Sequence, residues 1–125
     1  MILYTDVANI VVDDCKAIGI TDQVFQNAPI GKMTERIVVH VHGRSREKHW
    51  DKGFVEVNLC VPDFHGEPDL VRLQEMERAA CLFFENIGVG KYNGSYYDYD
   101  IESRGLEKQE GYHYINIKLQ FNVLT

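Results

Sequence analysis

Two histidines one residue apart, His40 and His42, are the first groups in this chain with the types and spacing for chemistry. On a strand both imidazoles leave the same face, with Cβ atoms roughly 7 Å apart, close enough for two ligands to share a metal ion. A working metal centre needs at least a third ligand, and His49, Asp98 or Glu56 would have to reach it through space. The plainer reading is two imidazoles on a wet sheet face. Asp98, Asp100 and Glu102 have the same period and would also line one face, as the carboxylates of a hydrolase do. They equally suit the polar side of a strand that discourages stray edge pairing.

The other reactive side chains lack partners at a telling spacing. Ser45, Ser95 and Ser103 sit in no nucleophile-elbow motif. Cys15, Cys60 and Cys81 form no C-x-x-C pair, and buried free thiols behave as small hydrophobes, which suits a reducing cytoplasm. The glycine-rich run Gly88-Val-Gly-Lys91 follows a helical pattern instead of opening one, so it reads as a helix stop and not a phosphate cradle. No catalytic or cofactor-binding residue is assigned. Six tyrosines, Tyr92, Tyr96, Tyr97, Tyr99, Tyr112 and Tyr114, crowd the last third of the chain, and those facing away from the core would suit a protein interface. Trp50 stands in the polar stretch Arg44–Lys52, where it either folds back on its own domain or reaches a partner.

The elements that must position these groups follow from hydrophobic period. Thr5 or Asp6 can cap a first helix with Val7, Ile10, Val11, Cys15 and Ile18 as its apolar stripe and Gly19 at its C-terminus. Gln23–Gln26 makes a small strand, and Arg36–His42 a longer one with Ile37, Val39 and Val41 on one face. Gly43–Lys52 reads as a long polar hairpin connection. Val55, Val57, Leu59 and Val61 alternate up to Pro62, which cannot donate to a ladder. Leu70, Leu73, Met76, Ala80, Phe83 and Ile87 then fall three or four apart, the stripe of a long helix. Tyr97, Tyr99 and Ile101 begin another strand, Gly105–Gly111 reads as a charged loop, and Ile115, Ile117, Leu119, Phe121 and Val123 form the cleanest strand of the chain. The expected fold is α+β, one domain over residues 1–125. It has a mainly antiparallel sheet of about four to five strands with two helices packed on one face.

Composition narrows the function. With 125 residues and 45% apolar residues the chain can bury a core without disulfides. No apolar run approaches the roughly 20 residues that span a bilayer, and the start Met1-Ile-Leu-Tyr-Thr-Asp does not read as a secretory leader. A net charge of −6 argues against general nucleic-acid binding. That charge is uneven. Lys32, Arg36, Arg44, Arg46, Lys48 and Lys52 outnumber Glu35, Glu47 and Asp51 in one stretch, while Asp98, Asp100, Glu102, Glu107 and Glu110 outnumber Arg104 and Lys108 in another. These are either two solvated hairpins or two complementary surfaces favouring head-to-tail self-association.

The layout resembles the tail-terminator (tail-completion) proteins of long-tailed bacteriophages and related small neck proteins of prophages. A leading helix ends near Gly19-Ile-Thr-Asp-Gln-Val-Phe, and the loop Ala28-Pro-Ile-Gly and a strand at Ile37–Val41 follow. The strand Phe54–Val61 leads into a helix at Leu70–Phe84, and two final strands end at Phe121-Asn-Val-Leu. A departure is the first helix, which starts almost at Met1. The resemblance implies a non-enzymatic subunit, without cofactors, that assembles with itself into a ring, usually hexameric, at the tail–head junction. Its partners would be tail-tube and head-connector proteins, and it would lie first in the host cytoplasm and then in the virion tail. In that setting Arg44, Arg46, Lys48 and Trp50 are expected contact residues, with Asp98, Asp100 and Glu102 as their counterparts. The contrasting expectation is a small metal- or ligand-binding domain or enzyme built around His40 and His42.

Overall fold

The computed structural model describes residues 1–27, 34–46 and 49–124, apart from the side chains at 44–46, 49, 51 and 52. In chain order it runs α1 (Tyr4–Ile18), β1 (Val24–Gln26), β2 (Arg36–Arg46), β3 (His49–Pro62), α2 (Leu70–Asn86), β4 (Gly90–Tyr92), β5 (Ser95–Gln109) and β6 (Tyr112–Leu124). The strands form one sheet in the order β1-β2-β3-β6-β5-β4. β1 runs parallel to β2 and every other pair is antiparallel.

The expected sheet of about four to five mainly antiparallel strands is thus corrected to a six-stranded mixed sheet curled into a half-barrel, with 51% of the described residues in strands. Three residues of β1 carry no period that betrays direction, and its register, Val24–Ile37 to Gln26–Val39, is parallel. β4 hides in the glycines read as a helix stop. Its hairpin to β5 turns through Asn93 and Gly94, both at positive φ, the turn that a two-residue hairpin favours. The polar stretches 43–52 and 105–111 are strand for most of their length, because the β2–β3 ladder runs on to Arg46–His49 and the β5–β6 ladder to Gln109–Tyr112. Residues 106–111 are exposed, so no alternation marks them. Bulges at Arg44/Ser45 and Ile101/Ser103 interrupt the two long ladders, and bulges bend the strands that carry them.

The core lies on one face. Val55, Val57, Leu59 and Val61 of β3 stand beside Ile115, Ile117 and Leu119 of β6, flanked by Ile37 and Val39 of β2 and by Tyr97 and Tyr99 of β5. α1 covers the β1/β2 side with Val7, Ile10, Val11 and Cys15, and α2 covers the β5 side with Leu73, Met76, Ala80 and Phe84. α1 begins two to three residues earlier than its capping residues suggest. Asp6, in its first turn, reaches back to accept the Leu3 N–H at 2.8 Å, and Gly19 ends the helix at φ 80°. α2 starts at the capping carboxylate of Asp69, which accepts from the Arg72 N–H at 3.2 Å. Gly90 has no room for a side chain, because the Tyr97 ring crosses directly over it. That packing sets how closely β4 lies on β5.

Trp50 corrects the reading of the 43–52 stretch. Its indole stacks on Tyr4 of α1 with centroids 5.8 Å apart, meets Phe121 edge-on at 5.9 Å, and donates its N–H to the Phe121 carbonyl at 3.0 Å. It keeps 8% of its surface in solvent. The residue is therefore a core pin that ties α1, β3 and β6 together, and it is withdrawn as a contact residue for partners. Native Trp50 fluorescence is expected to be blue-shifted and to move red on unfolding. Trp50→Phe should cost about 1–3 kcal/mol, from the lost hydrogen bond and the space left behind. Chemical denaturation with emission spectra checks both. A native spectrum already that of water-exposed indole would contradict this placement.

Candidate functional site

Covering one face of the sheet leaves the other bare, and register places its side chains in cross-strand rows. One row runs Arg36, Cys60, Tyr114 and Glu107 across β2, β3, β6 and β5, and the next Val38, Asn58, Asn116 and Gly105. His40, Glu56, Lys118 and Ser103 follow, then His42, Phe54, Gln120 and Asp100. His40 and His42 do share this face, with ring centroids 6.3 Å apart. The His42 Nε2 lies 2.7 Å from Glu56 and its ring stacks on Phe54 at 5.1 Å. Among the described residues no group of three His, Cys, Asp or Glu side chains could hold a metal. The side chain of His49, one expected third ligand, lies outside the described residues.

The expected carboxylates stay close together but are tied to their own sheet. Asn122 donates to both Asp98 and Asp100, at 3.0 and 2.9 Å. Glu102 falls on the β5 bulge, out of the ladder, and its carboxylate is 3.6 Å from Lys118. Neither imidazole nor thiol stands among these contacts. Arg44 and Arg46 have their backbones at the far end of β2, their side chains and all of Lys48 being outside the described residues. The tyrosines divide between faces. Tyr97 and Tyr99 are core, Tyr112 and Tyr114 lie half-buried on the bare face, and Tyr96 is exposed with Lys91 over its ring at 5.6 Å.

Several polar groups went unnoticed in the sequence. Asp14 accepts hydrogen bonds from Tyr97 at 3.0 Å and Tyr99 at 2.6 Å, tethering α1 to β5. Burial pushes its carboxyl above the ordinary value, although the two phenols pull the other way. Their own burial, and then the Asp14 contact, push both phenols up, so they stay protonated donors. A signal existed: Asp14 lies three residues past Val11, on the apolar stripe of α1, where an acid needs a buried partner. Arg72 clamps α2 to the chain before β2 through paired bonds to Glu35 at 2.5 and 2.9 Å, and it also donates to the Ile20 carbonyl at 3.0 Å. His113 and Asp63 pair at 2.7 Å, with no nucleophile in contact with either among the described residues. Burial raises the Cys15 thiol, and it pushes Cys60 up to about 11. Both are therefore thiols, not thiolates, at neutral pH.

The sheet's two outer edges are only partly covered. β1 pairs with Ile37–Val39, leaving β2 from His40 to Arg46 with β3 as its sole strand neighbour among the described residues. β4 reaches only Ser95–Tyr97, so β5 from Asp98 to Gln109 is likewise paired on one side. Beside that second edge lies a shallow groove of about 420 Å³, walled by Leu70, Val71 and Leu73 of α2, Leu106 of β5 and Ile115 of β6. Among the described residues no helix is long and apolar enough to cross a membrane.

No protein-family model matches the sequence, and no curated protein matches it. One solved protein structure is similar over 96% of both chains, with 14% identity and a TM-score of 0.55. At that identity the likeness concerns the fold alone.

The Asp14 cluster makes stability depend on pH in a stated direction. With its folded value above the ordinary 3.8, the native state takes up the proton before the unfolded chain does. Its contribution is therefore least favourable at neutral pH and grows as pH falls through the raised value toward 3.8. Against Asp14→Asn, the wild type should gain in melting temperature between pH 7 and pH 4. A difference that stays flat across that window would rule out the buried carboxylate. Tyr99→Phe should cost about 1–3 kcal/mol at pH 7.

Proposed function

We propose that this chain is a structural subunit that works by self-assembly, of the tail-terminator kind, and performs no chemical step of its own. Its copies join head to tail, the β2 edge of one protomer meeting the β5 edge of the next, and close a ring that sits between tail tube and head connector. The chain would act in the host cytoplasm during assembly and end in the virion tail.

One observation carries this reading. The two incompletely paired edges lie at opposite sides of one sheet and carry opposite charge. In sequence the β2–β3 arm carries Arg44, Arg46 and Lys52, with Lys48 outside the described residues, and the β5 edge Asp98, Asp100, Glu102 and Glu107 against Arg104 and Lys108. Unpaired strand edges are templates for further pairing. Because the two edges are three strands apart within one protomer, their charges satisfy each other only between copies, which is a heterologous contact. Exposed Leu70, Val71 and Leu106 beside the β5 edge add apolar surface for the neighbour to cover. The resemblance in layout supplies the ring and its place in a tail.

Light scattering coupled to size exclusion should find an oligomer whose share falls between low and high salt. Arg44→Glu with Arg46→Glu should shift it toward monomer. Adding Asp98→Lys and Asp100→Lys in the same chain should restore it. A wild-type monomer at both salts, or an oligomer indifferent to the first pair of changes, would defeat the proposal.

A further inference from the structure

The bare face holds a second feature that owes nothing to the assembly reading. Arg36 opens β2 with only 6% of its surface exposed, and it is the one buried charged residue among those described. Among the described residues its side chain has no hydrogen bond or salt bridge, and its Nε is sealed from solvent without an acceptor. A buried guanidinium left this way is strongly unfavourable unless something pairs with it.

Arg36 lines a recess of about 120 Å³ together with Val38, His40, Asn58, Cys60, Tyr112 and Tyr114, with Gln109 at its rim. Its positive charge acts against the rise of both the Cys60 thiol and the Tyr112 phenol, so the guanidinium stands beside these two walls. The remaining lining is rich in donors. The Asn58 side-chain oxygen is taken by Asn116 at 2.7 Å, which leaves the Asn58 amide N–H groups to face elsewhere. Tyr112, Tyr114 and the Gln109 amide add hydroxyl and N–H donors. Among the described residues no Asp or Glu lines the recess. The acid in the Arg36 row, Glu107, is three strands away, about 14 Å at ordinary strand spacing.

We propose that this recess binds a carboxylate group, with Arg36 as the charged partner and the Asn58 amide and the Tyr112 and Tyr114 hydroxyls as orienting donors. The planar guanidinium fork matches a carboxylate in two parallel hydrogen bonds. The small volume admits the head of a small acid, or an acidic side chain of another polypeptide, and is well below the size of an ordinary cofactor site.

The test is a titration of ¹⁵N-labelled full-length protein with sodium acetate at constant ionic strength, chloride balancing the salt. Beside it run inorganic phosphate and an acetylated, amidated Gly-Asp-Gly peptide. Saturable shifts confined to the amides of Arg36, Cys60, Tyr112 and Tyr114 are expected with acetate. They should be at least tenfold weaker in Arg36→Met and intermediate in Arg36→Lys, which keeps the charge but not the fork. If Arg36→Met does not fold, Tyr114→Phe with Arg36→Lys carries the comparison, and their combination should weaken acetate more than either alone. Acetate stronger than the peptide would assign a free small acid, and the reverse a polypeptide carboxylate. Absence of saturation, equal shifts in the Arg36 variants, or phosphate binding more tightly than acetate would each overturn the assignment. Oligomer size, read separately, decides the ring proposal without touching this one.

Discussion

Everything in this molecule hangs on the pairing of β3 with β6 at the centre of the sheet. Nine residue pairs from Phe54–Gln120 to Pro62–Tyr112 set Val55, Val57, Leu59 and Val61 beside Leu119, Ile117, Ile115 and His113. A slip of one residue would turn the whole apolar row to water and the Asn, Lys and Tyr row into the core, so this register is held by burial itself. With the two central strands locked, β2 and β5 extend the apolar surface on either side. The two helices then have one face to cover.

Covering one face has consequences at the helix ends and at the sheet's rim. Each helix is anchored by a polar tether in addition to its apolar stripe: Asp14 to two tyrosines for α1, and Arg72 to Glu35 and the Ile20 carbonyl for α2. Trp50 closes the third side by inserting under Tyr4 and against Phe121. These contacts join segments far apart in sequence, so they fix orientation where apolar packing alone would let a helix slide. At the rim the short β1 and β4 leave most of the outer strands open, and the bare face keeps its rows of polar side chains.

The groups on the bare face differ in what already holds them. Asp98, Asp100, Glu102 and His42 are engaged by neighbours on the same face, and burial raises the Cys15 and Cys60 thiols. What stays available is backbone at two edges, opposite charge on the two arms, and one buried guanidinium without a protein counter-charge among the described residues. The proposed assembly would use the edges, and the proposed carboxylate site the guanidinium. The two capacities rest on different residues and are independent.

Period was enough to place both helices, the Arg36–His42 strand, the run Val55–Val61 and the run Ile115–Val123, because each has one buried face whose side chains repeat at 2 or 3.6 residues. The same rule explains where the sequence was silent. β4, the outer halves of β2 and β5 and the parallel seat of β1 are held by pairing with distant strands, and a ladder hydrogen bond leaves no mark on side-chain type. The candidate groups divide similarly. That His40 and His42 share a face was legible from spacing, whereas the Glu56 partner of His42, the burial of Trp50, the Asp14 cluster and the isolation of Arg36 are meetings between strands and helices that only tertiary structure brings about. Local pattern decides which side of an element is buried; which residues then meet is decided by the order and curvature of the sheet.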